Sequence, residues 1–308
     1  MDRVLVTGGA GFIGSHLVET LLDSGAEVLV LDDFRLGRRE HLGRAGSSGR
    51  LTVVEGDIRN AVDLAPVADF APDTVFHLAA LHFIPYCNAH PQEALDVNAL
   101  GLDAVFRALR PAPLKAFVFA SSGAIYGFGD DPWPETAPAR PDEIYGMSKW
   151  LGEQAMARFH LDRPGVRTVV ARLFNTYGPR ETNPHVLPDI VQALSDGKPI
   201  EIGNLWPKRD LVFVTDTAAG LAASAAGGPG FEIFNVGTGY GTTIADVLQS
   251  IEAITGSTLD VRQVPGRMRE GDGHLVSDSR KLRDATGWKP QHDLATGLRQ
   301  LLKWEGLL

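Results

Sequence analysis

Short continuous apolar runs alternate with longer, helically periodic segments through the first half of the chain. The runs predict strands at residues 4–6, 27–31, 51–55, 74–78 and 116–120, and the periodic segments predict helices at 13–24 and about 91–109. Because the runs are continuous and not alternating, the strands are expected to be buried on both faces. Strands that alternate with helices indicate βαβ crossovers and a parallel, doubly wound α/β sheet.

The pattern loosens after residue 150. A helix at 150–159 and a strand at 168–172 are predicted, followed by a proline-rich stretch with little periodicity before the helices at 243–255 and 294–302. This change predicts a smaller, irregular α/β C-terminal domain that binds substrate. We expect the first, cofactor-binding domain to comprise residues 1–174 and 211–236, and the second to comprise 175–210 and 237–308.

Composition excludes some classes of protein. The 308 residues are 44% hydrophobic and 22% charged, with a net charge of −9, which suits a globular chain and argues against a nucleic-acid partner. The sequence has no apolar run long enough to predict a membrane span. Cys87 is the single cysteine, and no signal-peptide pattern opens the chain, so we expect a cytoplasmic protein.

A glycine-rich turn, Thr-Gly-Gly-Ala-Gly-Phe-Ile-Gly at 7–14, joins the first predicted strand to the first helix. Gly8 permits the tight turn, Gly11 lets the backbone approach a pyrophosphate, and Gly14 lets helix and strand pack closely. The helix that opens at Phe12 and Ile13 offers unpaired N–H groups to phosphates. The strand–turn–helix context therefore predicts a dinucleotide site on a Rossmann-type fold.

The acidic residue that ends the second strand bears on the choice of cofactor. Asp32 lies where a carboxylate bonds the adenosine ribose and repels a 2′-phosphate, which favours NAD over NADP. Three nearby arginines keep NADP open, because a guanidinium can bind that phosphate: Arg35, Arg38 and Arg39. Asp57, after the third strand, is expected beside the adenine.

Three polar residues form a candidate catalytic set. Tyr145 and Lys149 are four residues apart and share one face of a helix. A lysine cation and a positive nicotinamide ring would lower the pKa of the tyrosine and let it act as a base. Ser122 ends a strand at the carboxyl edge of the sheet, where such folds place their ligands. Its hydroxyl can hold a substrate oxygen while Tyr145 removes the proton.

These motifs together resemble the extended short-chain dehydrogenase/reductase family, within its NAD-dependent sugar epimerase/dehydratase group. The resemblance covers nearly the whole chain and is carried by residues 7–14, 76–80, Asn98, 121–127, 145–149 and 175–180. It implies an enzyme with bound NAD that acts on a nucleotide-diphosphate sugar. Further cofactor contacts that it implies are Ile58, Leu78, Ala79, Ala80 and Asn98.

The residues after Ser122 distinguish reactions within the group. The group's 4,6-dehydratases carry an acidic pair where this chain has Gly123 and Ala124, and neither of these can transfer a proton. The pattern is closer to that of the 4-epimerases, which need no additional acid or base because a 4-keto sugar turns and is reduced on its other face. An NAD(P)-dependent 4-ketoreductase, a related dehydratase and a non-catalytic NAD(P)-sensing regulator stay open as alternatives.

The resemblance also implies substrate contacts. It places Asn175 and Arg209 at the sugar-nucleotide diphosphate and Arg269 and Asp272 at phosphate and nucleoside ribose, and it includes Arg180 among the substrate-binding residues. Paired arginines suit this task because their planar donors bond phosphate oxygens bidentately. The sequence does not fix the nucleotide base or the sugar.

The loop after the fourth strand contains His82, Cys87 and His90. Their mixed spacing makes a poor metal site, so we expect no metal. We regard His82 in this loop, and Gly123 after the fifth strand, as candidate substrate contacts.

Finally, the resemblance implies a homodimer. Its interface would combine the helix near 91–109 with the helix that carries Tyr145 and Lys149. Apolar and small side chains at near-helical spacing on these helices are Val97, Ala104, Val105, Ala108, Leu151, Ala155 and Phe159.

Overall fold

The structure, a computed structural model, describes residues 1–43, 45–130, 132–268 and 273–308. Its strands are β1 Arg3–Thr7, β2 Glu27–Asp32, β3 Leu51–Glu55, β4 Thr74–His77, β5 Ala116–Ser122, β6 Arg167–Leu173, β7 Asn175–Tyr177, β8 Ile200–Ile202, β9 Arg209–Phe213, β10 Gly230–Val236, β11 Gly241–Thr242 and β12 Val261–Gln263. Its α-helices are α1 Phe12–Asp23, α2 Ala65–Phe70, α3 Ile84–Ala89, α4 Pro91–Leu95, α5 Gly101–Ala108, α6 Ile144–Asp162, α7 Val186–Ser195, α8 Val214–Ser224, α9 Ile244–Thr255, α10 Arg280–Thr286 and α11 Leu294–Trp304.

A seven-stranded parallel sheet forms the centre of the fold, in the order β10-β6-β5-β4-β1-β2-β3. Successive residues of each strand pack on opposite faces: Val4 and Val6 belong to one hydrophobic cluster, and Leu5 belongs to another. This confirms the predicted doubly wound α/β sheet, because strands covered on both sides need apolar residues at every position. The chain order reverses at β1, where β2 and β4 lie on its two sides.

Different helices cover the two faces of this sheet. Helices α1 and α8 pack on the face of Val4, and α5 and α6 pack on the face of Leu5. Leu282 and Trp288 also lie in the first cluster. Helix α10 and Trp288, two residues beyond its end, thus pack against the large sheet, although they lie in the segment predicted to form the second domain.

The remaining C-terminal elements form a separate hydrophobic cluster. Strands β7, β9 and β11 make a three-stranded sheet, and β8 pairs with β12. Residues from α7, α9 and α11 pack with these strands around Phe213. Apart from β9, these strands have only two or three residues and bury too few side chains to leave a periodic signal in the sequence, which is why these sheets were not predicted.

The helix predicted near 91–109 is interrupted. It consists of α4 and α5 joined by a π-helical segment, Asp96–Leu100, that contains Asn98. The extra residue of a π-helical turn re-aims side chains and is common at functional sites. Among the described residues, no helix combines the length and hydropathy needed to cross a bilayer.

Candidate functional site

A cleft of about 850 Å³ lies at the carboxyl ends of the large sheet. Its walls come from the loops after β1, β2, β3, β4 and β5, from α6, and from the C-terminal segments around β7 and β9. Doubly wound sheets bind ligands at this edge, beside the strand where the chain order reverses. The volume falls within the range of small-molecule and cofactor sites.

The glycine turn after β1 is shaped as a cradle of bare backbone. Gly8 has a φ of +70°, and a Cβ there would come within 2.7 Å of the Ala79 nitrogen. A Cβ on Gly14 would come within 2.1 Å of the Gly8 carbonyl oxygen. Gly11, Phe12 and Ile13 line the cleft where α1 begins. The N–H groups of the first helical turn therefore face a space that suits a pyrophosphate, and this turn fits a dinucleotide.

Asp32 lies at the end of β2 and lines the same cleft. One of its carboxylate oxygens accepts a hydrogen bond from the Ala10 nitrogen (2.9 Å), and the other accepts one from the Phe34 nitrogen (2.9 Å). Burial raises the pKa of Asp32, and the two backbone donors oppose this shift. The side chain is thus held rigidly between the glycine turn and the loop after β2.

Two of the three arginines that kept NADP open are engaged by carboxylates. Arg35 pairs with Glu93 at 2.6 Å, and Arg39 pairs with Glu55 at 2.5 Å. These ion pairs reduce the positive charge available to a 2′-phosphate beside Asp32. The geometry thus adds to the preference for NAD that Asp32 indicates.

Asp57 and Ile58 lie in the loop after β3 and line the cleft. Asp57 forms an ion pair with Arg59, at 2.5 Å between Oδ2 and Nη2. Its pKa is lowered, mainly by the side-chain hydrogen bond from Arg59. Ile58 is buried below the cleft and lies under Gly101, where a Cβ would approach it within 2.7 Å. Asp57 thus provides a polar edge and Ile58 an apolar floor at this end of the cleft.

The structure brings Ser122, Tyr145 and Lys149 together in the cleft. Ser122 is the last residue of β5, and the other two residues lie in the first two turns of α6. The Ser122 hydroxyl accepts a hydrogen bond from the Ala124 nitrogen at 3.1 Å. The Lys149 ammonium donates a hydrogen bond to the Ala120 carbonyl oxygen at 2.8 Å and lies 5.9 Å from the centre of the Tyr145 ring.

Burial dominates the protonation of this set. It raises the pKa of Tyr145 to about 12, opposed by the hydrogen bond with Ser122. It also lowers the pKa of Lys149 to about 8, which leaves the ammonium mostly protonated at neutral pH. The expectation that Lys149 lowers the pKa of Tyr145 is not met by the chain alone, because the loss of solvation of a buried phenolate is the larger effect.

The loop after β4 forms the floor of the cleft through Leu78, Ala79 and Ala80. Asn98 does not line the cleft of the described residues. Its side chain is buried, accepts a hydrogen bond from the Leu81 nitrogen at 2.8 Å and donates to the Leu81 carbonyl oxygen at 2.8 Å. It also donates to the Ser148 hydroxyl at 2.9 Å. Asn98 thus ties this loop to α6 from behind.

His82 lines the cleft, and its Nε2 accepts a hydrogen bond from the Asn183 side chain at 2.6 Å. Burial lowers the pKa of His82 to about 4, so the imidazole is neutral. Gly123, a predicted substrate contact, is buried against the Phe174 ring and does not line the cleft of the described residues, whereas its neighbours Ser122 and Ala124 do. Ala124 lines the cleft, and its methyl group cannot transfer a proton.

The structure places only some of the predicted substrate-binding residues in the cleft. Asn175 and Arg209 line the cleft, and Arg209 donates a hydrogen bond to the Gly273 carbonyl oxygen at 2.6 Å. Arg180 is not brought to the cleft: its guanidinium pairs with Glu19 at 2.7 Å and donates to Ser15 at 3.2 Å, both on α1. The two remaining predictions, Arg269 and Asp272, lie outside the described residues.

The segment after Arg180 supplies cleft residues that the sequence analysis did not identify. Glu181, Asn183 and His185 all line the cleft. Glu181 accepts a hydrogen bond from His185 at 2.7 Å, and burial raises the pKa of its carboxyl group. The cluster of polar residues between two prolines was a usable signal, but no periodicity places such a segment in space.

The fold and the cleft define an α/β protein with a dinucleotide-binding site beside a serine–tyrosine–lysine set. A family model described as the NAD dependent epimerase/dehydratase family matches residues 4–237, and the chain belongs to this family.

Individual relatives match the full length. The chain is 34% identical to a UDP-glucose 4-epimerase of Rhizobium leguminosarum bv. trifolii, over 98% of this chain and 97% of the relative. It is similar to a crystal structure of the Thermus thermophilus UDP-glucose 4-epimerase in complex with NAD, with a TM-score of 0.88, 33% identity and 99% of both chains covered. It is also similar to a structure of a dTDP-glucose 4,6-dehydratase from Streptomyces venezuelae with NAD, with a TM-score of 0.89, 30% identity, and 98% and 96% covered.

Proposed function

We propose that this protein is an NAD-dependent epimerase that inverts C4 of a nucleotide-diphosphate sugar through a transient 4-keto form. The observation that carries the proposal is the meeting of Ser122, Tyr145 and Lys149 in the cleft, with Ala124 beside them. Overall similarity to both an epimerase and a dehydratase does not separate the two reactions. Ala124 does, because loss of water from the sugar needs an acid or base that a methyl group cannot supply.

The cofactor is assigned to the half of the cleft built on the glycine turn. Gly8, Gly11 and Gly14 would hold its pyrophosphate, Asp32 its adenosine ribose, and Asp57 would lie at its adenine. Flanking contacts are assigned to Phe12, Ile13, Ile58, Leu78, Ala79 and Ala80. NAD, when bound, supplies the reversible two-electron oxidation at C4.

The chain's own residues move and hold a proton. Ser122 positions the C4 oxygen, and Tyr145 takes the proton of the C4 hydroxyl and later returns it. A pKa of about 12 with Lys149 already in place means that Tyr145 needs further positive charge to do so, and the nicotinamide ring of bound NAD would add it to that of the Lys149 ammonium, which lies 5.9 Å from the centre of the Tyr145 ring. The Ala120 carbonyl fixes that ammonium in place. Because the proton and the C4 hydrogen both return to the sugar, no co-substrate is consumed.

The substrate is assigned to the other half of the cleft. Asn175 and Arg209 line it and offer donors to a diphosphate, and His82 stands at the sugar end. We assign this half to residues 175–210 and 237–308 and the cofactor half to 1–174 and 211–236. The name of the 34% identical relative supports uridine as the base.

A panel of nucleotide sugars tests this function. Incubation with UDP-, GDP-, dTDP- and CDP-hexoses, without added cofactor, should yield a new C4 epimer for at least one UDP-sugar, separated by anion-exchange or porous-carbon chromatography. Product formation only with added NADPH, with net oxidation of that cofactor, would instead show a ketoreductase.

Replacing Asp32 with asparagine should shift cofactor preference towards NADP. The amide keeps the side-chain shape and one acceptor oxygen, but it removes the negative charge that repels a 2′-phosphate. We expect the ratio of NADP to NAD affinity to rise roughly 5- to 10-fold, the equivalent of about 1 kcal/mol. Calorimetry with both cofactors measures this, with Asp23→Asn at the exposed end of α1 as the control. Tighter binding of NADP than NAD by the unmodified protein would contradict the assignment.

We propose a homodimer that uses α6. Three apolar side chains are exposed on α6: Met147, Trp150 and Leu151. Trp150 and Leu151 lie three and four residues after Met147, so the three side chains lie on one face of the helix. Leu100, on the neighbouring π-helical segment, is also exposed.

Of the side chains proposed from sequence for the interface, two belong to the core of their own chain. Val105 and Phe159 are buried in the cluster below the large sheet, because their helical faces point towards it. Val97, Ala104, Ala108 and Ala155 are partly buried against the same cluster. Leu151 keeps its place at the proposed interface.

Leu151→Glu should convert the dimer to a monomer. A carboxylate in a two-fold interface meets its own copy across the axis and must also lose its water. Light scattering should report the mass of one chain, and activity should fall because α6 carries Tyr145 and Lys149. Leu161→Glu, at an exposed position near the end of the same helix, should stay dimeric. A wild-type monomer with full activity at assay concentration would defeat this proposal.

A further inference from the structure

A polar bridge connects the loop after β2 with the helices after β4. Arg35 Nη1 lies 2.6 Å from Glu93 Oε1 in α4. The Tyr86 hydroxyl in α3 donates to the other Glu93 oxygen at 2.7 Å, and Arg35 Nη2 donates to the Tyr86 hydroxyl at 3.4 Å. The Arg35 guanidinium also lies 5.7 Å from the centre of the Tyr86 ring. The bridge thus joins three side chains into one unit, although Arg35 and Glu93 are more than 50 positions apart in the sequence.

The bridge joins two loops that flank the start of the glycine turn. Strands β2 and β4 lie on opposite sides of β1, and both loops leave the carboxyl ends of their strands. The carboxyl end of β1 therefore lies between the two loops that the bridge connects. The glycine turn begins at that end, and it is where this fold holds the pyrophosphate of a dinucleotide.

The bridge adjoins the wall of the cleft. Arg35 lines the cleft, and so do Ile84 and Pro85, which immediately precede Tyr86. Tyr86 and Glu93 are not part of the lining formed by the described residues. Its pKa is lowered by the hydrogen bonds from Tyr86 and Arg35, in that order, which keeps it charged.

We propose that the Arg35–Tyr86–Glu93 bridge is a latch that must open before NAD can leave, and that Glu93 holds it shut. This inference rests on the proposed function. An epimerase restores its cofactor in every turnover, so a long residence of the cofactor costs it nothing. A contact that ties together the two loops beside the glycine turn slows release without touching the reacting atoms.

The strength of the latch is limited by solvent. The Arg35 and Glu93 side chains are 42% and 28% exposed, and an ion pair of this kind is screened by salt. Each contact alone changes a rate only a few-fold. The three contacts together predict that opening the latch raises the rate of NAD release roughly 3- to 10-fold.

Rates of NAD release test this directly. Protein loaded with NAD is diluted into alcohol dehydrogenase and ethanol, so that released NAD is reduced and detected by the absorbance of NADH. The variants are Glu93→Gln, Arg35→Met and the double variant, and the control is Asp103→Asn, which breaks the exposed Asp103–Arg107 pair on α5. Glu93→Gln is the decisive variant, because it leaves the lining of the cleft unchanged.

We expect both single variants to release NAD roughly 3- to 10-fold faster than wild type, and the double variant to be no faster than the faster single variant, because the two side chains act as one unit. Added salt should accelerate release from wild type more than from the double variant. Release from Glu93→Gln at the rate of wild type and Asp103→Asn would overturn the latch while leaving the proposed function intact. Failure of the wild-type protein to bind NAD at all would overturn both.

Discussion

Replacing Tyr145 with phenylalanine is expected to reduce turnover by roughly 10²- to 10⁴-fold, the range that a general acid–base group contributes. The variant removes one oxygen atom from a side chain buried between Ser122 and Lys149, and it leaves the ring in place. Fold and NAD binding should therefore be unchanged, and the loss should appear in kcat. Initial rates with the best nucleotide sugar from the panel measure it.

Tyr240→Phe is the matched control for this variant. Tyr240 is 74% exposed and does not line the cleft of the described residues, so loss of its hydroxyl should leave kcat unchanged. Turnover by Tyr145→Phe within a few-fold of wild type would remove Tyr145 from the mechanism. The cofactor content of both variants should equal that of the wild-type protein, which separates a chemical defect from a binding defect.

The second large effect concerns a buried ion pair that holds α6 in place. Glu153 lies one turn beyond Lys149, and its carboxylate meets Arg172 of β6 at 2.7 and 2.9 Å. The Arg172 and Glu153 side chains are only 6% and 4% exposed. Ser121 donates a further hydrogen bond to Glu153 at 2.6 Å, and Arg172 donates one to the Tyr126 hydroxyl at 2.7 Å. The pair thus fixes α6 against β6, and Ser121 ties Glu153 to β5, the strand that ends in Ser122.

Arg172→Met should lower the free energy of unfolding by about 3–5 kcal/mol, because it leaves the Glu153 carboxylate buried without its partner. Urea denaturation followed by circular dichroism, at a fixed NAD concentration, measures the change. Arg158→Ala breaks an exposed pair with Asp162 on the same helix and should change stability by less than about 1 kcal/mol.

A double variant, Glu153→Leu with Arg172→Met, distinguishes a stranded charge from lost packing. Removal of both charges should recover a large part of the stability lost by Arg172→Met, because two apolar side chains of similar size can pack against each other and no buried charge is left unpaired. If Arg172→Met were as stable as Arg158→Ala, the pair would have no role in fixing α6.

The large sheet was predictable because its signal is local. Strand β3, at Leu51–Glu55, was predicted with the bounds that it has. The sequence of the glycine turn predicted both the conformation of the turn and the class of ligand that it binds. Helix α6 begins at Ile144, six residues before the predicted start, because its first turns carry Gly146, Ser148 and Lys149 where an apolar pattern was sought. Lys149 lines the cleft, Ser148 bonds Asn98, and Gly146 packs closely against Ala124, so these positions are set by the site and its supporting contacts and not by periodicity.

The site was less predictable where a side chain's role depends on distant partners. Arg180 shares a motif with Asn175, but Glu19 and Ser15 on α1 direct its guanidinium away from the cleft. Arg35 was open as a ligand for a 2′-phosphate, and only the fold shows that Glu93 holds it. Sequence spacing identifies which chemistry is available, whereas the partner of each charge is set by packing between elements far apart in the chain.

In the proposed mechanism, inversion at C4 proceeds by removal and return of the same hydrogen, and Tyr145 handles only the hydroxyl proton. A UDP-hexose carrying deuterium at C4, incubated in protonated water without added cofactor, tests this mechanism. The epimeric product should retain deuterium at C4, as read by mass spectrometry and NMR. Loss of the deuterium to solvent during inversion would rule the mechanism out, because the C4 hydrogen would then leave as a proton.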